Sequence, residues 1–214
     1  MLERVEDSAF GVTDAHAVAS RQLALEGVPD THPQHRAIVE RVTRFLTGSY
    51  ARRVAEAGAA VSREVAFVLT LVDADARELV LHGSMDLVVT WPDGAVDVVD
   101  YKSARGAKGE GASAPYAFQL DVYAEAARRT FDVAAPRVGL AFLGGDPGEP
   151  VWHTPSDGAA LSARLTALAA ALSTARWTSD FPREPLDRCD AITCGFIGRC
   201  HASTERKPAR ATTT

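Results

Sequence analysis

Two short stretches set charged groups into apolar, strand-like sequence. One is Gly83-Ser84-Met85-Asp86 running into Leu87-Val88-Val89, and the other is Val98-Val99-Asp100-Tyr101-Lys102. Side chains on a strand alternate between its faces, so Val96, Val98, Asp100 and Lys102 share one face, and Asp97, Val99 and Tyr101 the other. Asp86, on a neighbouring hairpin strand, reaches the same point. Two carboxylates that converge repel unless a cation joins them or one is protonated. Oxygen ligands suit hard cations such as Mg²⁺ and Mn²⁺. Such an ion lowers the pKa of a bound water and offsets charge on a phosphate oxygen, and a nearby ammonium adds to that charge stabilisation. The parts for phosphodiester hydrolysis are therefore present. The competing reading is a set of solvated ion pairs. Each acid, however, interrupts an apolar strand, where an unpaired charge is costly.

The elements that must hold these groups follow from local pattern. Pro92-Asp93-Gly94 is a turn signal, making 84–91 and 95–102 the arms of a hairpin. Strands are also expected over 63–72, 78–82 and 137–143, with 151–153 as an edge strand. Helices are expected over 13–26, over 34–57 as one amphipathic run, over 115–129, and over 157–177, where Leu161, Leu165, Leu168 and Leu172 form a stripe. Residues 105–115 form a loop of Gly, Ala, Ser and Lys. The order of helix, strands, helix, strand, helix implies an α/β fold with a central mixed β-sheet flanked by helices.

A chain of 214 residues, 46% apolar, is expected to form one domain. It divides into a helical part at 1–57, a core at 58–177 and a cysteine-containing tail at 178–214. The net charge of −5 gives no overall attraction for nucleic acid, so any basic surface must be local. Candidates are Arg105 and Lys108 in the loop, and Arg128 and Arg129 on the following helix, for all of which a solvated face is the alternative. No apolar run approaches membrane-spanning length and the N-terminus shows no secretory pattern, so the expectation is a cytoplasmic protein without a membrane partner. Cys189, Cys194 and Cys200 all lie near the C-terminus, and an odd, clustered set argues against a disulfide framework and raises a metal or iron–sulfur site as a candidate.

The Gly-x-x-Asp strand, the Asp100-Tyr101-Lys102 strand and the Gln119-x-x-x-Tyr123 helix, taken in order, resemble the PD-(D/E)XK nuclease superfamily. The likeness is strongest to the nuclease domains of the RecB and AddAB helicase–nucleases and to the Cas4 group, and is best over 63–143. The resemblance implies a restriction-endonuclease-like core and Mg²⁺- or Mn²⁺-dependent cleavage of DNA. It implies exonuclease or end-processing work in repair, recombination or defence, with a helicase subunit as a candidate partner. By position, Asp86 and Asp100 would hold the metal together with the Tyr101 carbonyl, and Lys102 would be the catalytic lysine. Gln119 and Tyr123, four apart on one helix face with Tyr116, would border the site, contacting DNA or ordering the lysine. Glu64 matches a strand-entry glutamate of the group, either as a supporting acid or as a solvated one.

Relatives carry a metal-binding histidine on an N-terminal helix, for which His16 is the candidate; an ordinary exposed histidine is the alternative. The tail is similar to the cysteine triplet of relatives that bind a [4Fe–4S] cluster, but residues 1–188 contain no cysteine to supply a fourth thiolate. An empty site, a cluster, and a zinc site completed by His201 all stay open. So does a catalytically inactive nuclease-like module that binds DNA or a protein, as against an active nuclease.

Overall fold

The computed structural model describes residues 2, 10–11, 14–72, 78–103, 114–145, 147–179, 183, 185–191 and 197–201. They fall into two compact units, Met1–Thr166 and Ala167–Thr214.

The first unit opens with three helices, α1 (Ala15–Leu25), α2 (His35–Leu46) and α3 (Ser49–Glu56). The single helix expected over 34–57 is broken at Gly48, whose backbone is extended. A side chain there is impossible without rearrangement, because a Cβ would come within 2.6 Å of Gly148 Cα. The break is thus imposed by a segment 100 residues away and has no local signature.

Five strands follow: β1 (Ala60–Val72), β2 (Glu78–Thr90), β3 (Val96–Lys102), β4 (Arg137–Phe142) and β5 (Val151–His153). Helix α4 (Ala117–Phe131), entered through a 3-10 turn at Ala114–Tyr116, lies between β3 and β4, and α5 (Gly158–Thr178) follows β5. The two strands expected at 78–82 and 84–91 are one continuous strand. Gly83 is no break; it leaves room for Phe67, whose ring would meet a Cβ there at 2.8 Å.

The strands lie in sequence order, antiparallel except for the parallel pair β3–β4, which α4 connects. This is the mixed, helix-flanked α/β sheet of a restriction-endonuclease-like core. Both faces are covered. On one, Leu87, Val89, Val99 and Ala141 pack with Val39, Phe45, Leu46, Tyr50 and Val54 of α2 and α3. On the other, Val88, Val96, Val98, Val138 and Leu140 pack with Leu120, Ala124 and Ala127 of α4 and with Leu161 of α5. A strand buried on both faces reads as an unbroken apolar run, and β3 is such a run except for its two aspartates and its final lysine.

Within the second unit, α5 continues to Thr178, followed by α6 (Leu186–Ala191) and α7 (Ile197–Cys200), two short helices in a tail expected to be irregular. The leucine stripe of α5 is buried only at its start: Leu161 is buried, whereas Leu168 and Leu172 are about half exposed at 50% and 48%. Contrary to the expectation from sequence, α5 is long and apolar enough to cross a membrane by length and composition, a test that helices of soluble proteins also pass.

Candidate active site

β2 and β3 pair from Thr90↔Val96 to Leu87↔Val99, and the ladder stops there. The next level would set Asp86 against Asp100. Instead Asp86 Oδ2 accepts the Tyr101 backbone N–H at 2.9 Å, a side-chain oxygen taking the place of a strand carbonyl. The regular strand pairing ends where the two acids stand.

A distortion in β1 accompanies this end of the ladder. Register across β1 and β2 is continuous from Ala60↔Thr90 to Val72↔Glu78, except at the level of Glu64 and Asp86. Glu64 has φ 49°, a left-handed conformation that non-glycine residues adopt at a cost. The face alternation inverts there in both strands. Val61 packs on the α2–α3 side but Val65 and Phe67 on the α4 side; Leu87 packs on the first side but Met85 on the second. In each pair the two residues are an even number apart and would share a face in a regular strand. Glu64 is exposed, and its Oε2 accepts the Ser84 hydroxyl at 2.9 Å.

Asp100 is buried, at 2% exposure. Its Oδ1 accepts Gln119 Nε2–H at 2.8 Å, with the Tyr123 hydroxyl at 3.4 Å. Its Oδ2 lies 2.6 Å from Lys102 Nζ, a charge pair that is the oxygen's one polar contact among the described residues. The ammonium also donates to Gln119 Oε1 at 3.1 Å. The remaining Gln119 N–H goes to the Tyr123 hydroxyl at 2.9 Å. One amide from the first turn of α4 therefore joins the acid, the lysine and the tyrosine. The i, i+4 spacing of Gln119 and Tyr123 turns both toward the end of β3.

The electrostatics are those of crowded acids. Partial burial is the largest influence on Asp86 and pushes its pKa up to about 6; the Asp100 and Glu64 charges add to this, while the Tyr101 N–H and Lys102 oppose it. Burial, with the Asp100 and Asp86 charges, pushes Tyr123 up to about 12, so its hydroxyl stays neutral.

These features fit a hard divalent cation. Asp100 Oδ2 is a buried carboxylate oxygen whose one polar contact among the described residues is the Lys102 ammonium, and a second, partly desolvated carboxylate stands beside it. All the donors are oxygens, the set that Mg²⁺ and Mn²⁺ prefer over softer metals. Asp86 and Asp100 would hold the ion.

The structure brings Asp86, Asp100, Tyr101, Lys102, Gln119 and Tyr123 together, with Tyr116 beside Lys102. It does not bring His16 to them. That residue is exposed on α1, whose buried positions are Ala15, Ala19 and Leu23. No group of three or more His, Cys, Asp or Glu able to hold a metal exists among the described residues. Of the cysteines, Cys189 is buried and Cys200 exposed, while Cys194, Arg105 and Lys108 lie outside the described residues. Arg128 and Arg129 are engaged by Glu125, and Arg129 also donates to the Thr70 carbonyl.

Sequence reasoning passed over Asp97. It is fully buried, paired through both oxygens with Arg137 at 2.7 and 2.6 Å and hydrogen-bonded by the Tyr50 hydroxyl at 3.1 Å. Arg137 stacks on Trp152 at 4.5 Å. An aspartate in an otherwise apolar strand was the available signal, the same one that marked Asp100. What differs is the partner, a guanidinium that satisfies both oxygens here and leaves none for a cation.

Compared with known families, residues 2–201 match the model of the PD-(D/E)XK nuclease superfamily. No curated protein matches. Among solved structures, one titled "Crystal structure of SSO0001" is 16% identical with a TM-score of 0.46, over 96% of this chain and 84% of its own.

Proposed function

The chain belongs to the PD-(D/E)XK nuclease superfamily, and from that premise we propose that it hydrolyses phosphodiester bonds in DNA with a Mg²⁺ or Mn²⁺ ion held by Asp86 and Asp100. The observation that carries the reading is the pair of neighbouring carboxylates: the buried Asp100, whose Oδ2 contacts the Lys102 ammonium at 2.6 Å, and an Asp86 whose ionised form is disfavoured. Two such groups gain from a shared divalent ion far more than from solvent.

When bound, the ion would make a water more acidic and offset charge on the phosphate. The chain's own groups do the rest. Asp86 keeps its orientation through the Tyr101 N–H, and the Tyr101 carbonyl is a candidate further ligand. Lys102 presents a fixed ammonium to the phosphate oxygens as negative charge develops on them. Gln119 holds Lys102 and Asp100 at a set separation, so neither must reorganise during the reaction. Tyr123 keeps a neutral hydroxyl against Asp100. The same reading extends to exonuclease or end-processing work in DNA repair, recombination or defence beside a helicase, in the cytoplasm. Arg105 and Lys108 are the proposed guides for a strand.

A second reading is favoured by one observation: only two acids, and no histidine, meet at the site among the described residues. On it, the chain is an inactive nuclease-like module that binds DNA or protein. Cleavage of end-labelled single- and double-stranded DNA, with an RNA control, in Mg²⁺ and in Mn²⁺, separates the two. Wild-type cleavage that is lost in Asp100→Ala and Lys102→Ala supports the active reading. Cleavage surviving both substitutions refutes the site, and no cleavage of any substrate favours the module.

A further inference from the structure

Tyr116 ends the 3-10 turn that leads into α4 and immediately precedes the helix. Its ring centroid is 4.8 Å from Lys102 Nζ, and its ring tilts against Phe142 at 6.2 Å between centroids. Phe142 is the residue paired with Lys102 across the parallel register of β3 and β4. One ring therefore covers two neighbouring residues at the ends of adjacent strands. The ammonium meets three different groups: the Asp100 carboxylate, the Gln119 amide oxygen and the Tyr116 π face.

A lysine stem has four rotatable carbons and loses much freedom when its head is fixed. Asp100 draws the ammonium to 2.6 Å from its Oδ2. Gln119 and the ring pull from other directions. A ring face attracts a cation through its quadrupole, more strongly where water is excluded, and this needs the ring and not the hydroxyl. With a cation on it, that face is also unavailable for stacking on a base.

We propose that Tyr116 is a positioning residue: its ring, braced by Phe142, holds the Lys102 ammonium in place, and it is not a stacking platform for nucleic acid. The proposal rests on the reading of Lys102 as the acting ammonium, so its test includes an arm that needs no cleavage. In protein carrying ¹³Cε-labelled lysine, with Lys102 assigned by its loss in Lys102→Arg, the Lys102 ε-protons are shifted upfield by the ring. Tyr116→Leu returns them to the position of exposed lysines, and Tyr116→Phe keeps them shifted. In kinetics on a labelled single-stranded DNA oligonucleotide with Mn²⁺, Tyr116→Leu lowers kcat roughly three- to thirtyfold with KM unchanged. Tyr116→Phe recovers most of that loss, and Tyr116→Leu adds nothing to Lys102→Ala. A wild-type Lys102 signal among the exposed lysines, or a Tyr116→Leu variant with raised KM and intact kcat, overturns the proposal. If wild type cleaves no DNA, the nuclease reading fails and the spectra alone decide for or against the ring's hold on Lys102.

Discussion

Glu64 stands opposite Asp86 across β1 and β2, at the one level where the ladder between the two strands is interrupted. Its φ of 49° is what a glycine would adopt freely. In an ordinary strand alanine is more stable than glycine by roughly 0.5–1 kcal/mol. At position 64 the order should invert: Glu64→Gly is expected to be more stable than Glu64→Ala by about 1 kcal/mol, because only glycine relieves the left-handed strain. Urea unfolding of the two variants checks this. Alanine as the more stable of the pair would mean that the strain is not real.

The raised pKa of Asp86 gives a pH-dependent stability with a definite sign. Its folded value, about 6, lies above the ordinary carboxylate range. The folded state therefore favours the protonated form, and stability falls as pH rises from that range through 6. Asp86→Asn has no charge to desolvate and its side-chain oxygen still accepts the Tyr101 N–H. In EDTA, wild type and variant should be nearly equal near pH 4. The variant should be the more stable at pH 8, by about 1 kcal/mol once the half-exposure of the group is discounted. A gap that does not widen with pH refutes the crowded-acid picture.

How far the site could be read in advance depended on the range of the interactions that build it. The alternation in 96–102 and the four-residue spacing of Gln119 and Tyr123 are local periods, and they set Asp100 and Lys102 on one strand face and Gln119 and Tyr123 on the helix face that meets it. The break at Gly48 depends on Gly148, and the satisfaction of Asp97 depends on Arg137, 40 positions away; neither has a local signature. Gly83 resembled a strand break because a glycine opposite a phenylalanine ring looks the same in sequence as a glycine in a turn. The inversion at Glu64 was illegible for another reason: a glutamate gives no hint of a left-handed backbone, and only the opposite strand shows why it is there.

Divalent ions should stabilise the folded chain through the two acids. An ion at one hundred times its dissociation constant adds about 2.7 kcal/mol by mass action, which for a chain of this size is a rise in Tm of roughly 5–10 °C. Mn²⁺ or Mg²⁺ should raise the Tm of wild type, and should raise that of Asp86→Asn or Asp100→Asn by much less. A Cys189→Ser variant should respond as wild type does, since no metal-holding group among the described residues includes that cysteine. An equal rise in all of them would locate the ion elsewhere.

Gln119 should matter to both stability and turnover, and for separable reasons. Its amide uses both N–H groups, on Asp100 and Tyr123, and its oxygen on Lys102. Gln119→Leu has similar bulk and none of these bonds. It leaves Asp100 Oδ1 with only the long Tyr123 contact in a buried place, a loss of about 1–3 kcal/mol. It also takes the amide acceptor from Lys102, so the ammonium that contacts Asp100 Oδ2 at 2.6 Å is less firmly placed. Losing such an outer support lowers metal affinity or activity on the order of ten- to a hundredfold. Gln119→Glu separates the two effects. It keeps an acceptor for Lys102 but faces Asp100 with a second carboxylate, whose pKa must rise, so its stability should fall further below wild type at pH 8 than at pH 5. Unfolding curves at the two pH values, with Mn²⁺ titrations of each variant, test the scheme. A Gln119→Leu variant with wild-type stability and metal affinity would show that the amide does not support the acid and the lysine.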